Sequence, residues 1–330
     1  MKYPIIAAGC LCLASAAAAQ DKPILTVLTY DSFVSDWGPG PLVEKAFEET
    51  CGCDLKFLAA GDGAALLARL RLEGVRTQAD VVLGLDTNLT AAAAETGLFA
   101  GHGREAMDFD LPVAWNDPIF LPYDWGYFAF VYDNTKIDTV PESFAELAES
   151  KLKIVIQDPR SSTPGLGLLL WVQAALGDQA PDIWSGLADN ILTVTKGWSE
   201  AYGLFLEGEA DMVLSYTTSP AYHLIVEEDR TKSAAAFQEG HYIQIEVAAK
   251  IASTNEPDLA DRFLDFMLSG TFQSIIPTTN WMYPARTPEG GLPVGFETLI
   301  TPETALFYPA DEAALIRDQA LQTWLTALSR

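Results

Sequence analysis

Basic residues are scarce in this sequence, 20 Lys and Arg against 45 Asp and Glu, and the formal charge is −25. Phosphate binding needs clustered Lys and Arg, so this balance argues against nucleic acid as a partner and mildly favours a cationic ligand. Histidine is scarcer still. His102, His223 and His241 are the only three, none is paired with a Cys or Glu at ligand spacing, and no metal site is expected. The runs GxSxG, GxxxxGK[ST] and GxGxxG are all missing, which removes the nucleophile-elbow, P-loop and dinucleotide-binding readings. With 45 acidic residues, chance alone supplies carboxylate pairs of any spacing, so none is read as catalytic. Repeats of 20–50 residues, low-complexity tracts and disordered linkers are lacking too.

Long hydrophobic runs are confined to the N-terminus, MKYPIIAAGCLCLASAAAAQ. One basic residue precedes an apolar stretch from Ile5 to Ala16, and an Ala-x-Ala site ends at Ala19. That is the pattern of a secretory signal peptide over residues 1–19, with a mature chain from Gln20 in the periplasm, and no later run reaches membrane-spanning length. A lipoprotein box ending at Cys10 would leave an apolar core of only about five residues, shorter than such segments need. Removing the signal leaves two of the four cysteines, Cys51 and Cys53, in the run CGC. This spacing permits a strained disulfide in an oxidising compartment, or two structural thiols.

What is present is a long alternation of short apolar strands and amphipathic helices, the pattern of an α/β protein with parallel sheets. ILTVLTY (Ile24–Tyr30), DLKFLAA ending at Ala60 and ADVVLGLD (Ala79–Asp86) are predicted strands, separated by helices Val43–Cys51 and Gly61–Gly74, the latter capped by Asp62. LPYDWGYFAFVYD (Leu121–Asp133) is too long and aromatic for a loop and is read as a crossing into a second lobe. IVIQDP, LTVTKG and DMVLSYT give strands there, with helices from near Pro164, Trp198 and Ser219, and GHYIQIEVAAKIA (Gly240–Ala252) leads back. The expected domains are a discontinuous lobe I (20–124 and 248–330), which the terminal helix completes, and a lobe II (125–247). Ligands of open α/β sheets bind at the carboxyl ends of the strands, here in the cleft between lobes.

Large aromatics fall at those ends. Tyr30 ends the first strand, Trp37 lies in the loop beyond it, Trp198 follows TVTKG, Tyr216 ends DMVLSY, Tyr222 starts the next helix and Trp281 sits in TNWMYP. Aromatic faces stack on flat heterocycles and attract cations. Asp31, Asp62, Asp86 and Asp124 are expected at the same rims, Asp62 as a helix cap first and a ligand contact second. Ser161, Ser162 and Thr163, ahead of Pro164, are expected to offer hydroxyls and free backbone donors at a helix start.

The strings TYDSF, DWGPGP, RLRLEG, ADVVLGLD, TKGWSEAYGLFL, LSYTTSPAYH and NWMYP together resemble the periplasmic thiamine-binding proteins of Gram-negative ABC importers, from about residue 22 to near the C-terminus. The resemblance implies the group II periplasmic-binding-protein fold, two lobes joined by two crossing segments. It implies thiamine, thiamine monophosphate or thiamine diphosphate as ligand, a membrane permease as partner, and no cofactor or catalysis. Carried over, the ring-stacking and hydrogen-bonding residues are Tyr30, Trp37, Trp198, Tyr216, Tyr222 and Trp281, with Asp62, Gly63 and Ser162 in polar roles. The loop RSST departs from the expected pattern, where a Thr would precede the Ser. CGC resembles a Cys-x-Cys of the family and implies a structural role. Two alternatives remain: a ferric-iron receptor of the same fold using tyrosines, and a thiaminase-like enzyme using a cleft cysteine. The chain is expected to be monomeric.

Overall fold

In the computed structural model, which describes residues 22–105 and 107–329, the β-branched run Ile24–Thr29 forms β1. The predicted signal peptide lies outside the described residues. Three β-α steps in all follow the predicted order, β1 continuing into α1 (Gly40–Cys51), then β2 (Asp54–Ala59), α2 (Gly63–Glu73), β3 (Val81–Asp86) and a short α3 (Thr90–Ala94). β4 (Leu121–Asp133) matches the predicted crossing residue for residue. Beyond it come α4 (Phe144–Glu149), β5 (Ile154–Gln157), α5 (Thr163–Leu176), α6 (Ala180–Leu187), β6 (Ile191–Thr195), α7 (Trp198–Leu206), β7 (Met212–Tyr216), α8 (Pro220–Val226) and β8 (Lys232–Ala234). The chain returns through β9 (His241–Lys250) to α9 (Pro257–Met267), α10 (Gly270–Thr279), β10 (Tyr283–Pro284), β11 (Ala305–Leu306) and α11 (Ala310–Leu328).

The main path of hydrogen-bonded strands runs β2-β1-β3-β9-β4-β7-β5-β6, so one sheet passes through both lobes. The exchange happens within β4, whose first half pairs antiparallel with β9 as far as Tyr127↔Ile243. Its second half pairs with β7 from Phe128↔Tyr216 onward. Each outer set is parallel, as β1 is to β2 and β3, and β5 to β6 and β7. A two-lobe α/β architecture with two crossing strands results, as expected.

Some elements lie outside the predicted pattern. α4 begins with a Ser-x-x-Glu pattern that could have revealed it: the N-cap Ser143 Oγ accepts from Glu146 N at 3.1 Å, and the Glu146 carboxylate reaches back to accept from Glu142 N, one residue ahead of the cap, at 2.8 Å. The terminal helix α11, expected to complete the first lobe, packs on α5 and α6 of the second as well as on α3 of the first. Its amphipathicity marks a buried face without saying which element covers it.

Both cysteines of CGC are bonded to each other, with Gly52 between them in the left-handed region at φ 67°. That conformation is open to glycine at little steric cost. In the second lobe, Trp171 is fully buried against Phe144 and Phe237, and its indole donates to Gly240 O. His241 is buried beside it, with Nδ1 2.7 Å from Phe128 O and Nε2 accepting from Phe237 N at 2.9 Å. An acceptor role for Nε2 requires the neutral ring, and burial lowers its pKa from 6.5. Imidazole ¹⁵N shifts at pH 6 are therefore expected to show His241 as the neutral Nδ1–H tautomer, where a free histidine is mostly charged. A doubly protonated His241 at that pH would contradict the arrangement.

Candidate functional site

A cavity of about 610 Å³ opens between the lobes at the carboxyl ends of the strands, within the size range of small-molecule sites. Eight of the nine predicted ligand residues line it: Tyr30, Trp37, Asp62, Gly63, Trp198, Tyr216, Tyr222 and Trp281. The ninth, Ser162, is fully buried behind Asp62. Glycine is needed at two nearby points. A Cβ on Gly63 would fall 2.5 Å from Thr163 Oγ1, and one on Gly84, at φ +105°, would fall 2.2 Å from the Tyr30 ring.

The aromatic walls are held from behind. Trp198, at the first turn of α7, stacks on Tyr202 with centroids 5.0 Å apart and 24° between planes, and its Nε1 donates to Ser215 Oγ at 2.8 Å. Trp37 leans on Trp198 from the facing lobe at 6.1 Å and is 53% exposed, so it forms the outer edge. Tyr216 stacks on Phe128 at 5.1 Å. Trp281 meets Tyr222 edge-on at 5.4 Å and sits at φ 56°, a region that costs a non-glycine residue roughly 1–2 kcal/mol. Strain at a wall residue is consistent with a ring placed for a ligand.

Asp62 corrects a sequence expectation. It occupies the N-cap position of α2, but its side chain makes no cap bond. Instead Oδ2 accepts from Ser162 Oγ at 2.7 Å and from Trp198 N at 3.1 Å, while the neighbouring Gly63 N donates to Thr163 Oγ1 at 3.2 Å. Asp62 thus ties the first lobe to two helix starts of the second, where the local positive field favours a carboxylate. The free hydroxyls expected there are taken, since Ser161 Oγ also donates to Lys196 O at 2.6 Å. Burial raises the Asp62 pKa, and its two hydrogen bonds oppose that rise.

Of the other predicted rim acids, Asp31 accepts from Gly61 N, whereas Asp86 and Asp124 are completely buried beneath the cavity. Glu246 was missed, although a lone charge within the apolar strand IQIEVAA is a visible signal. It lines the cavity, with Oε2 accepting from the Tyr30 hydroxyl at 2.9 Å and from the Tyr123 hydroxyl. Asn280, also missed, donates to Asp124 Oδ2 at 2.7 Å and to Tyr30 OH at 2.9 Å. Among the described residues, no Lys, Arg or His lines the cavity. Its surface is aromatic and its floor acidic, which suits a flat cation.

The histidine expectation also needs correcting. His223 has Glu227 four residues on, with Nδ1 2.6 Å from Glu227 Oε2, and Nε2 2.9 Å from the Tyr202 hydroxyl. Asp229 completes a group whose ligating atoms lie within 4.8 Å of one another, but its carboxylate already accepts from Thr231 and Lys232. Those contacts brace Tyr202 under Trp198.

Comparison with known proteins agrees with the geometry. The family model described as bacterial extracellular solute-binding protein matches residues 40–270. The thiamine-binding periplasmic protein of Escherichia coli K12 is 55% identical over 97% of this chain and 98% of its own length. That of Brucella melitensis is 52% identical over 96% and 95%. A solved periplasmic thiamin binding protein superposes with a TM-score of 0.91 at 55% identity, covering 94% of this chain and 97% of that one.

Proposed function

The chain belongs to the bacterial extracellular solute-binding proteins, and on that premise we propose that it is the periplasmic substrate-binding component of an ABC importer for thiamine, thiamine monophosphate or thiamine diphosphate. Thiamine joins a permanently charged thiazolium to a flat aminopyrimidine. The single observation that carries the reading is an aromatic cavity with a carboxyl floor and no basic residue among the described lining. In the proposed site Trp198, Tyr222 and Trp281 face the rings, Tyr30, Trp37 and Tyr216 complete the enclosure, and Asp62, Gly63 and Ser162 hold the lobes together around the ligand. The boundaries between lobes fall near residues 125 and 247, inside β4 and β9, and closure about these crossings delivers the loaded form to the permease.

The chain acts by binding, not by catalysis. Cys51 and Cys53 are paired with each other and are absent from the cavity lining, so a thiaminase-like thiol attack has no nucleophile there. Iron capture by tyrosinates is disfavoured because Tyr216 and Tyr222 are separated by five residues, where a paired-tyrosine iron site would need them adjacent. The net charge of −25 gives no footing for nucleic acid, and we propose that the protein works as a monomer.

Tryptophan-fluorescence titration tests the proposal. Saturable quenching is expected with thiamine and with both phosphate esters, since Trp37, Trp198 and Trp281 all bound the cavity. An unchanged spectrum with thiamine, together with a visible charge-transfer band on adding ferric citrate, would replace this reading with the iron receptor.

A further inference from the structure

Under the cavity, four adjacent strands each present a polar side chain: Thr29 on β1, Asp86 on β3, Glu246 on β9 and Asp124 on β4. In register, Asp86 faces Glu246 and Glu246 faces Asp124. Asp124 and Asp86 are fully buried and Glu246 nearly so. Glu246 is well served by donors, with Tyr30 and Tyr123 on Oε2 and Gln244 on Oε1 at 2.9 Å. Asp124 has Asn280 on one oxygen, and its other oxygen, Oδ1, has no donor. Glu246 is its register partner on the adjacent strand, and burial raises the pKa of both carboxyl groups, with repulsion from Glu246 adding to the rise at Asp124, so the pair holds one proton between them. The better-solvated Glu246 is the anion of the pair and Asp124 the acid.

The groups facing this pair leave nothing else to neutralise it. Tyr30 directly follows β1, Asp86 ends β3, Tyr123 lies in β4 and Tyr216 ends β7, while Asp62 is the N-cap position of α2 and Asn280 the C-cap of α10. Among the described residues, no Lys, Arg or His lines the cavity above the pair, and the cation acting on Asp62 is Lys196. Two buried carboxyl groups in contact cannot both ionise unless positive charge arrives from outside.

We infer that Asp124 and Glu246 make the cavity selective for a permanently charged ligand by exchanging one shared proton for that charge. This rests on the reading of the cavity as a thiamine site. A thiazolium entering above Glu246 stabilises the doubly ionised pair, and the Asp124 proton leaves to the buffer. A neutral molecule of the same shape offers no such compensation and leaves the proton in place. By linkage, affinity for the cation then rises with pH by as much as tenfold per pH unit over the range in which a full proton is released, while affinity for the neutral isostere stays flat.

Isothermal titration calorimetry at pH 7.5, in phosphate and in Tris, reads the proton count from the difference in heats. With thiamine the wild-type protein is expected to release close to one proton per ligand, and with the neutral thiophene isostere of thiamine none. Asp124→Asn should abolish the release and flatten the affinity profile between pH 6.5 and 8. Glu246→Gln tests the same pair should the first variant fail to fold. Asp86→Asn, in the same row but outside the pair, should keep the release. Normal thiamine binding with no proton released, or release that survives Asp124→Asn and disappears in Asp86→Asn, overturns the inference. Absence of any thiamine heat in the wild-type protein instead removes the thiamine reading itself, and the inference with it.

Discussion

Replacing Trp198 with alanine should weaken thiamine binding by roughly 2–3 kcal/mol, a rise in Kd of about 30- to 150-fold. The size follows from how the ring is held. Tyr202 supports one face, Ser215 takes the indole proton and the Asp62 carboxylate accepts from the Trp198 backbone amide, so little side-chain freedom is left to lose on binding. Its position against Trp37 of the facing lobe also makes it a contact across the cleft. Alanine therefore removes ring contact and preorganisation together. Trp198→Phe, which keeps a face but cannot donate to Ser215, should recover most of the affinity. Calorimetric Kd values for the two variants check this, and an alanine variant within twofold of wild type would show that stacking at this wall is not what holds the vitamin.

Asp86→Asn should stabilise the protein, by roughly 2–4 kcal/mol at pH 8 and by almost nothing near pH 4. Burial pushes the Asp86 pKa from 3.8 up to about 7. Its folded form thus holds a proton that the unfolded chain gives up more readily. The sign follows directly: stability is intact below pH 3.8, falls as pH rises toward 7 and stays lowered above it. Asparagine keeps the acceptor for Asn88 N, now at 2.8 Å from Oδ1, and removes the charge whose other oxygen has no donor. Urea unfolding of both proteins at pH 4, 6 and 8 measures the effect, and a variant less stable than wild type at pH 8 would contradict it. A cavity floor that attracts cations is thus maintained at a cost in stability, a common trade at binding sites.

Much of this was legible in the residues. The strand ends at Tyr30 and Tyr216 could be read because short apolar runs stop there, and the carboxyl ends of parallel strands open on the cleft. The crossing at Leu121–Asp133 was legible from its length and aromatic content. The carboxyl row was not, because it depends on register between distant strands. Irregularities between Leu83 and Leu85 and between Pro122 and Asp124 set which residues face one another, and neither strand alone encodes its partner's alignment. Asp62 was misread for a related reason. Its local sequence is that of a helix cap, and only the approach of Ser162 and Trp198, 100 and 136 residues away in the chain, gives the carboxylate better donors.

The seat of α11 bears on how this chain could be turned into a sensor. Because that helix rests on α3 in one lobe and on α5 and α6 in the other, it travels with neither alone. A fluorescent reporter fused behind it would therefore register little of the hinge movement, whereas one spliced into a surface turn of a single lobe would ride the full swing.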